Sequence, residues 1–114
     1  MTASNDPERF VFESGGLELV CHRWGPPGGR PVIFLHGFLD QGRAFTWVAE
    51  ALTPEFTVYA PDHRGHGLSG HVGVGGHYHF PDYLQDLDAL YGHLGITTAI
   101  VVGHSMGASM AVYL

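Results

Sequence analysis

Thr98-Ala99-Ile100-Val101-Val102-Gly103-His104-Ser105-Met106-Gly107-Ala108-Ser109-Met110-Ala111-Val112-Tyr113-Leu114 is the stretch whose reading decides the fold. Thr98 to Val102 is a continuous β-branched and apolar run, as expected of a strand covered on both faces of a parallel sheet. Ala108 onward is compatible with a helix. Between the two sits Gly103-His104-Ser105-Met106-Gly107, a G-x-S-x-G pattern. The five residues alone are weak evidence, because glycine and serine are common. A strand entering them and a helix leaving them turn the pattern into a sharp corner with a serine at its apex.

Such a corner has definite physical requirements. Ser105 must take a strained backbone conformation that lifts its hydroxyl above the sheet. Gly103 and Gly107 remove side chains that would collide across so tight a turn. The helix start directs N–H groups and a positive dipole end at a developing anion. Ser105 is therefore the candidate nucleophile, with His104 at the first variable position of the elbow and the Met106 N–H as one oxyanion donor. A second donor belongs on the loop after the third strand. There the chain reads His36-Gly37-Phe38, directly after the apolar run Pro31 to Leu35. Gly37 lets the backbone turn and the Phe38 N–H faces the same site, while His36 is read as bracing the loop rather than as the catalytic base.

Working outward, Phe10 to Glu13 and Leu17 to Trp24 read as strands joined by a Gly15-Gly16 hairpin turn. Gly25-Pro26-Pro27-Gly28-Gly29 is a loop. Phe45, Val48, Ala49 and Leu52 recur at helical spacing up to Pro54. Phe56 to Ala60 is a short strand, and a glycine- and histidine-rich loop runs from Asp62 to His79. Pro81 opens a helix with Leu84, Leu87, Tyr91 and Leu94 as its buried stripe, and Gly95 ends it. On this helix Asp82 suits the first turn, and Asp86 and Asp88 are expected on the solvated side. His22 and His93 are expected at the surface or at a helix end. The pattern predicts an α/β fold with a mixed, mostly parallel sheet and flanking helices. There is no internal repeat, and residues 1–114 read as one partial domain cut after the elbow, without a complete second domain or cap.

His36-Gly37-Phe38, then Asp62-His63-Arg64-Gly65-His66-Gly67-Leu68-Ser69, then Gly103-His104-Ser105-Met106-Gly107, in this order, resemble the α/β-hydrolase superfamily from about Phe10 to Leu114. His36 to Asp40, His77 to Leu84 and the elbow are similar to its serine hydrolase-like subgroup. The resemblance implies a sheet of about eight mostly parallel strands and hydrolysis of an ester, thioester or related acyl bond. Members with Asp at the Ser105 position cleave epoxides or carbon–halogen bonds, so Ser105 points away from those reactions. Asp62, Arg64, Gly65 and Gly67 match a family loop that shapes the pocket floor. The family's triad order is Ser, then Asp or Glu, then His, and residues 106–114 contain neither an acid nor a histidine. His104 and His66 are not expected to substitute, so the 114-residue chain alone is expected to be inactive. The implied partner is a small-molecule acyl substrate, with no cofactor. The alternative is a non-catalytic, truncated binding protein of the same fold.

Composition agrees with a packed protein: 45% hydrophobic and 14% charged residues argue against disorder. A net charge of −6 with five arginines and no lysine leaves no footprint for nucleic acid or anionic lipid. The apolar run from Ala99 to Leu114 is too short and too interrupted to span a membrane. One cysteine, Cys21, reads as a buried residue and suits a reducing, cytoplasmic compartment. His71, His77 and His79 could be read as a metal site, but no carboxylate or cysteine supports them and a solvated loop is expected instead. Oligomeric state and substrate identity are not legible. An exposed edge on the strand before the elbow is expected to make the isolated chain aggregate.

Overall fold

The computed structural model describes residues 7–73, 76 and 78–113. β1 (Glu8–Ser14) and β2 (Leu17–Trp24) pair antiparallel in a register that sets Ser14 opposite Leu17. Gly15 and Gly16, at φ +56° and +85°, supply the two left-handed positions that a two-residue turn of matching twist requires. Then follow β3 (Arg30–Leu35), a 3-10 turn (Gly42–Phe45), α1 (Thr46–Leu52) and β4 (Phe56–Pro61). α2 (Phe80–Leu94), β5 (Ile100–Gly103) and α3 (Met106–Val112) complete the described chain. The sheet order is β1-β2-β4-β3-β5. β2 meets β4 antiparallel, and β3 runs parallel to both β4 and β5.

Alternation along the central strands divides the core in two. Ile33, Leu35 and Tyr59 face one side, where Tyr83, Leu87 and Leu90 of α2 and Met110 of α3 cover them. Val32, Phe34, Val58 and Ala60 face the other, against Ala49 of α1 and the partly buried Phe45 and Leu52. Burial on both faces is the reason β3 and β4 read as continuous apolar runs. α2 starts with Pro81 in its first turn and a reciprocal His79–Asp82 capping box, and it ends at Gly95 with φ +69°, a left-handed stop natural to glycine.

Five expectations need correction. Val48 is 52% exposed and Trp47 87%, because α1 lays only its Ala49 side on the sheet. The buried stripe of α2 is Tyr83, Asp86, Leu87 and Leu90, with Leu84, Tyr91 and Leu94 at its half-buried margins. Asp86 is therefore not solvated; it is 5% exposed and paired, as described below. His22 is not at the surface but fully buried, since Asp62 of the loop after β4 meets it inside. Finally, Ile100 is 45% and Val102 41% exposed, whereas the apolar run predicted cover on both faces; β5 itself lies at the border of the described sheet, where an exposed edge was expected.

Candidate active site

Ser105 stands between the end of β5 and the start of α3 with φ +58° and ψ −114°. A residue with a Cβ pays about 1–3 kcal/mol for such a conformation unless its surroundings enforce it. Here they do. The His104 N–H donates to the Leu35 carbonyl at 3.0 Å, the Gly107 N–H to the His104 carbonyl at 3.0 Å, and the Ala108 N–H to the Ser105 carbonyl at 2.9 Å. A Cβ at Gly103 would run into the backbone of Gly107 and Ala108, and one at Gly107 into the backbone of Leu35. The turn is thus jammed on three sides by main chain, while the Ser105 and His104 side chains remain exposed. Met106 is the first residue of α3, so its N–H belongs to the helix's unpaired donors.

The loop after β3 lies directly against this corner. A Cβ on Gly37 would stand 3.2 Å from Ser105 Cβ and 3.1 Å from His104 Nδ1. A side chain at 37 would crowd that approach, which glycine leaves open. Phe38 comes next with its ring exposed, followed by Leu39 at φ +66° and a turn closed by the Asp40 N–H on the Gly37 carbonyl at 3.2 Å.

Both ends of this loop are tied to the residues that leave β4. His36 is fully buried; its Nδ1 donates to the Gly37 carbonyl at 2.7 Å and its Nε2 accepts the His63 N–H at 2.9 Å. His63 Nε2 in turn donates to the His36 carbonyl at 2.9 Å. At the far end the Gly42 N–H donates to Asp62 Oδ1 at 2.7 Å. Asp62 Oδ2 accepts from the Leu68 N–H and from His22 Nε2, each at 3.0 Å. Gly67, at φ +50°, passes so close to the Asp62 carboxylate that a side chain there would strike it.

Burial by itself would push the Asp62 carboxyl up. The hydrogen bonds from His22, Leu68 and Gly42 outweigh it and hold the group below the ordinary aspartate range. Burial also drives His36 below the usual histidine value. It drives His63 further, to about 3, helped by the neighbouring His36. A neutral His36 is what the geometry demands, since its Nε2 needs a free lone pair to accept from His63. The Cys21 thiol is pushed well up by burial and by Asp62, which makes it a packing residue and not a nucleophile.

Arg64 and Asp86 form a two-pronged buried pair, Nε to Oδ2 at 2.8 Å and Nη2 to Oδ1 at 2.7 Å. It fastens the loop after β4 to α2. Gly65, at φ +76°, packs under the Tyr78 ring. His66 is buried with Nδ1 on the Arg64 carbonyl at 3.0 Å and its ring edge-on to Phe38. Among the described residues no imidazole or carboxylate is hydrogen-bonded to the Ser105 hydroxyl, and no cluster of His, Cys, Asp or Glu is arranged to hold a metal. His77 lies outside the described residues. Of the two polar residues whose burial the sequence reading missed, Asp86 could have been found: Tyr83, Asp86, Leu87 and Leu90 fall at one helical spacing. His22 carried no local signal, because its partner is 40 residues away.

A family model described as "alpha/beta hydrolase fold" matches residues 30–114. A serine hydrolase-like protein of Danio rerio is 39% identical over 94 residues, covering 82% of this chain and 29% of that protein. A non-heme haloperoxidase of Rhodococcus erythropolis is 36% identical over 99 residues, 86% of this chain and 35% of that protein. Among solved structures, the thioesterase domain from the curacin biosynthetic pathway superposes with a TM-score of 0.88 at 35% identity, over 94% of this chain and 40% of that one. An α/β hydrolase from Novosphingobium aromaticivorans superposes at 0.89 with 29% identity, over 97% and 40%. The chain spans between about a quarter and a half of the length of the curated relatives it matches.

Proposed function

Since this chain belongs to the α/β-hydrolase family and covers part of that fold, we propose that it is the N-terminal portion of a serine hydrolase acting on an ester or related acyl bond. Ser105 Oγ adds to the acyl carbon and gives up its proton to a general base. The carbonyl oxygen becomes an anion received by the N–H groups of Phe38 and Met106. The leaving group departs with a proton, and water then releases the acid and frees Ser105. Each amide donor of this kind contributes about 2.7–4 kcal/mol to the transition state. The observation that carries the reading is the left-handed Ser105 at a strand-to-helix corner with Gly37 packed against it.

The base and its orienting acid are assigned to residues outside 1–114. His66 Nδ1 is committed to the Arg64 carbonyl, and nothing described bonds the Ser105 hydroxyl. The relatives carry names as different as carbamate hydrolase and lipase, so the substrate is proposed only as a small acyl compound. The chemistry needs no cofactor or metal. A lone buried cysteine favours the cytoplasm, and none of the described helices is long and apolar enough to cross a membrane.

The test is a fluorophosphonate label and a p-nitrophenyl ester panel, applied to the complete gene product and to residues 1–114. The expected result is Ser105-dependent labelling and turnover in the former, and neither in the latter, which holds no base to activate Ser105. A complete product that neither labels at Ser105 nor turns over any ester would favour a non-catalytic binding protein.

A further inference from the structure

Two consecutive residues just after β4 hold opposite ends of the loop that carries Phe38. His63 grips the start: its N–H goes to His36 Nε2 and its own Nε2 to the His36 carbonyl, both at 2.9 Å. Asp62 grips the finish, with Oδ1 on the Gly42 N–H at 2.7 Å. Between these grips lie five residues, Gly37 to Gln41, one of them the left-handed Leu39. Asp62 is itself anchored from behind. His22 of β2 donates to Oδ2, the Asp62 N–H donates to the Val20 carbonyl at 2.8 Å, and the Ser69 hydroxyl donates to the Asp62 carbonyl at 2.6 Å. His63 is wedged edge-on against the Tyr83 ring of α2. Neither residue reaches Ser105.

We infer that Asp62 and His63 are positioning residues that clamp the loop at both ends and thereby fix the Phe38 N–H over Ser105. The inference rests on the serine hydrolase reading above and adds to it the source of the donor's rigidity. A donor amide works only if it is already in place when negative charge develops, since reorientation at that moment consumes the stabilisation it offers. A short loop with a left-handed residue and an exposed aromatic ring has no such rigidity of its own. The carboxylate and the imidazole, both in buried surroundings with fixed partners, supply it from the segment that leaves β4. Two features of the sequence follow from the clamp. Gly42 is glycine because a Cβ would strike the Ala60 carbonyl and crowd the His22 ring, and Gly67 is glycine because the loop must wrap the Asp62 carboxylate.

The test uses the complete gene product with Asp62→Asn, His63→Ala and His63→Gln, alongside Ser105→Ala. Gln can still present an amide N–H to the His36 carbonyl; Ala cannot. Amide hydrogen exchange of residues 37–42 is read together with steady-state kinetics. The clamp predicts exchange there about tenfold faster in Asp62→Asn and His63→Ala. It predicts kcat lower by about 10²-fold, the loss that small misplacements of catalytic groups produce, with KM within about twofold. His63→Gln should recover most of both. If Asp62→Asn does not fold, the Ala and Gln pair at position 63 decides alone. Unchanged exchange, or faster exchange with unchanged kcat, overturns the inference, as does a fall in kcat that Gln fails to relieve. Absence of Ser105-dependent turnover in the unmutated protein is the separate failure of the hydrolase reading itself, and takes the inference with it.

Discussion

Ser105 and Phe38 occupy neighbouring turns, yet the two turns are fixed by different forces. Around Ser105 the constraint is steric: Gly103 and Gly107 leave no room even for a methyl group, and the partners they press on are main chain. Around Phe38 the constraint is polar, with buried His36, His63 and Asp62 spending their hydrogen bonds on the two ends of the loop. A steric frame is indifferent to protons and to the identity of the side chain it presents. A polar frame depends on one particular charge and tautomer at each position. The two should therefore fail under different perturbations.

The widest gap between them appears in Ser105→Ala. Turnover by the complete protein should fall by about 10⁴–10⁶-fold, with the thermal midpoint little changed, because nothing described bonds the exposed Ser105 side chain. A midpoint that drops with activity would mean that the hydroxyl helps hold the corner. On the polar side, Arg64→Leu leaves Asp86 buried without its partner and should cost about 3–5 kcal/mol in denaturant unfolding. Replacing both Arg64 and Asp86 by leucine should recover much of that loss; a double variant as unstable as the single one would place the cost elsewhere.

Gly107→Ala attacks the steric side and should cost about 1–3 kcal/mol, the usual scale of overpacking, by the same amount at every pH. The polar side differs in its pH dependence. Histidine in the unfolded chain takes its proton near 6.5, whereas folded His63 resists protonation down to about 3. Between those values the unfolded state binds more protons. Stability is therefore complete above that window and declines as pH falls through it, by up to about 1.4 kcal/mol per pH unit for His63. His36, lowered in the same direction, steepens the upper part of the decline. A denaturation series from pH 7 to pH 4 checks this, and the Gly107→Ala curve should run parallel to it. His63→Gln should flatten the slope. The smallest effect belongs to Trp47→Ser: with the ring 87% exposed, stability should move by no more than about 0.5 kcal/mol.

The same division explains what could be read from the sequence. The signature of the steric frame is local: Gly103, Ser105 and Gly107 lie within five residues, and the strand and helix around them follow from short-range pattern, although the backbone that Gly107 presses on is Leu35 of β3. The hairpin at Gly15-Gly16 and the stop at Gly95 were legible for the same reason. The polar frame is assembled across the chain. His22 finds Asp62 at a separation of 40 residues, Gly42 finds it at 20 and Arg64 finds Asp86 at 22. A histidine in a strand and an aspartate on a helix look solvated until their partners are known. The exposed face at Ile100 and Val102 was illegible for a third reason, since an apolar run reports what a strand can bury and not which elements pack over it.

The jammed glycines also separate address from reagent. They dictate where residue 105 sits while leaving its side chain untouched, so that, on the serine hydrolase proposal, the corner is a socket for whatever short reactive group is mounted there. Cysteine or aspartate in that place would be presented to the same spot above the sheet, and a new bond-breaking chemistry could be introduced without rebuilding the architecture beneath it.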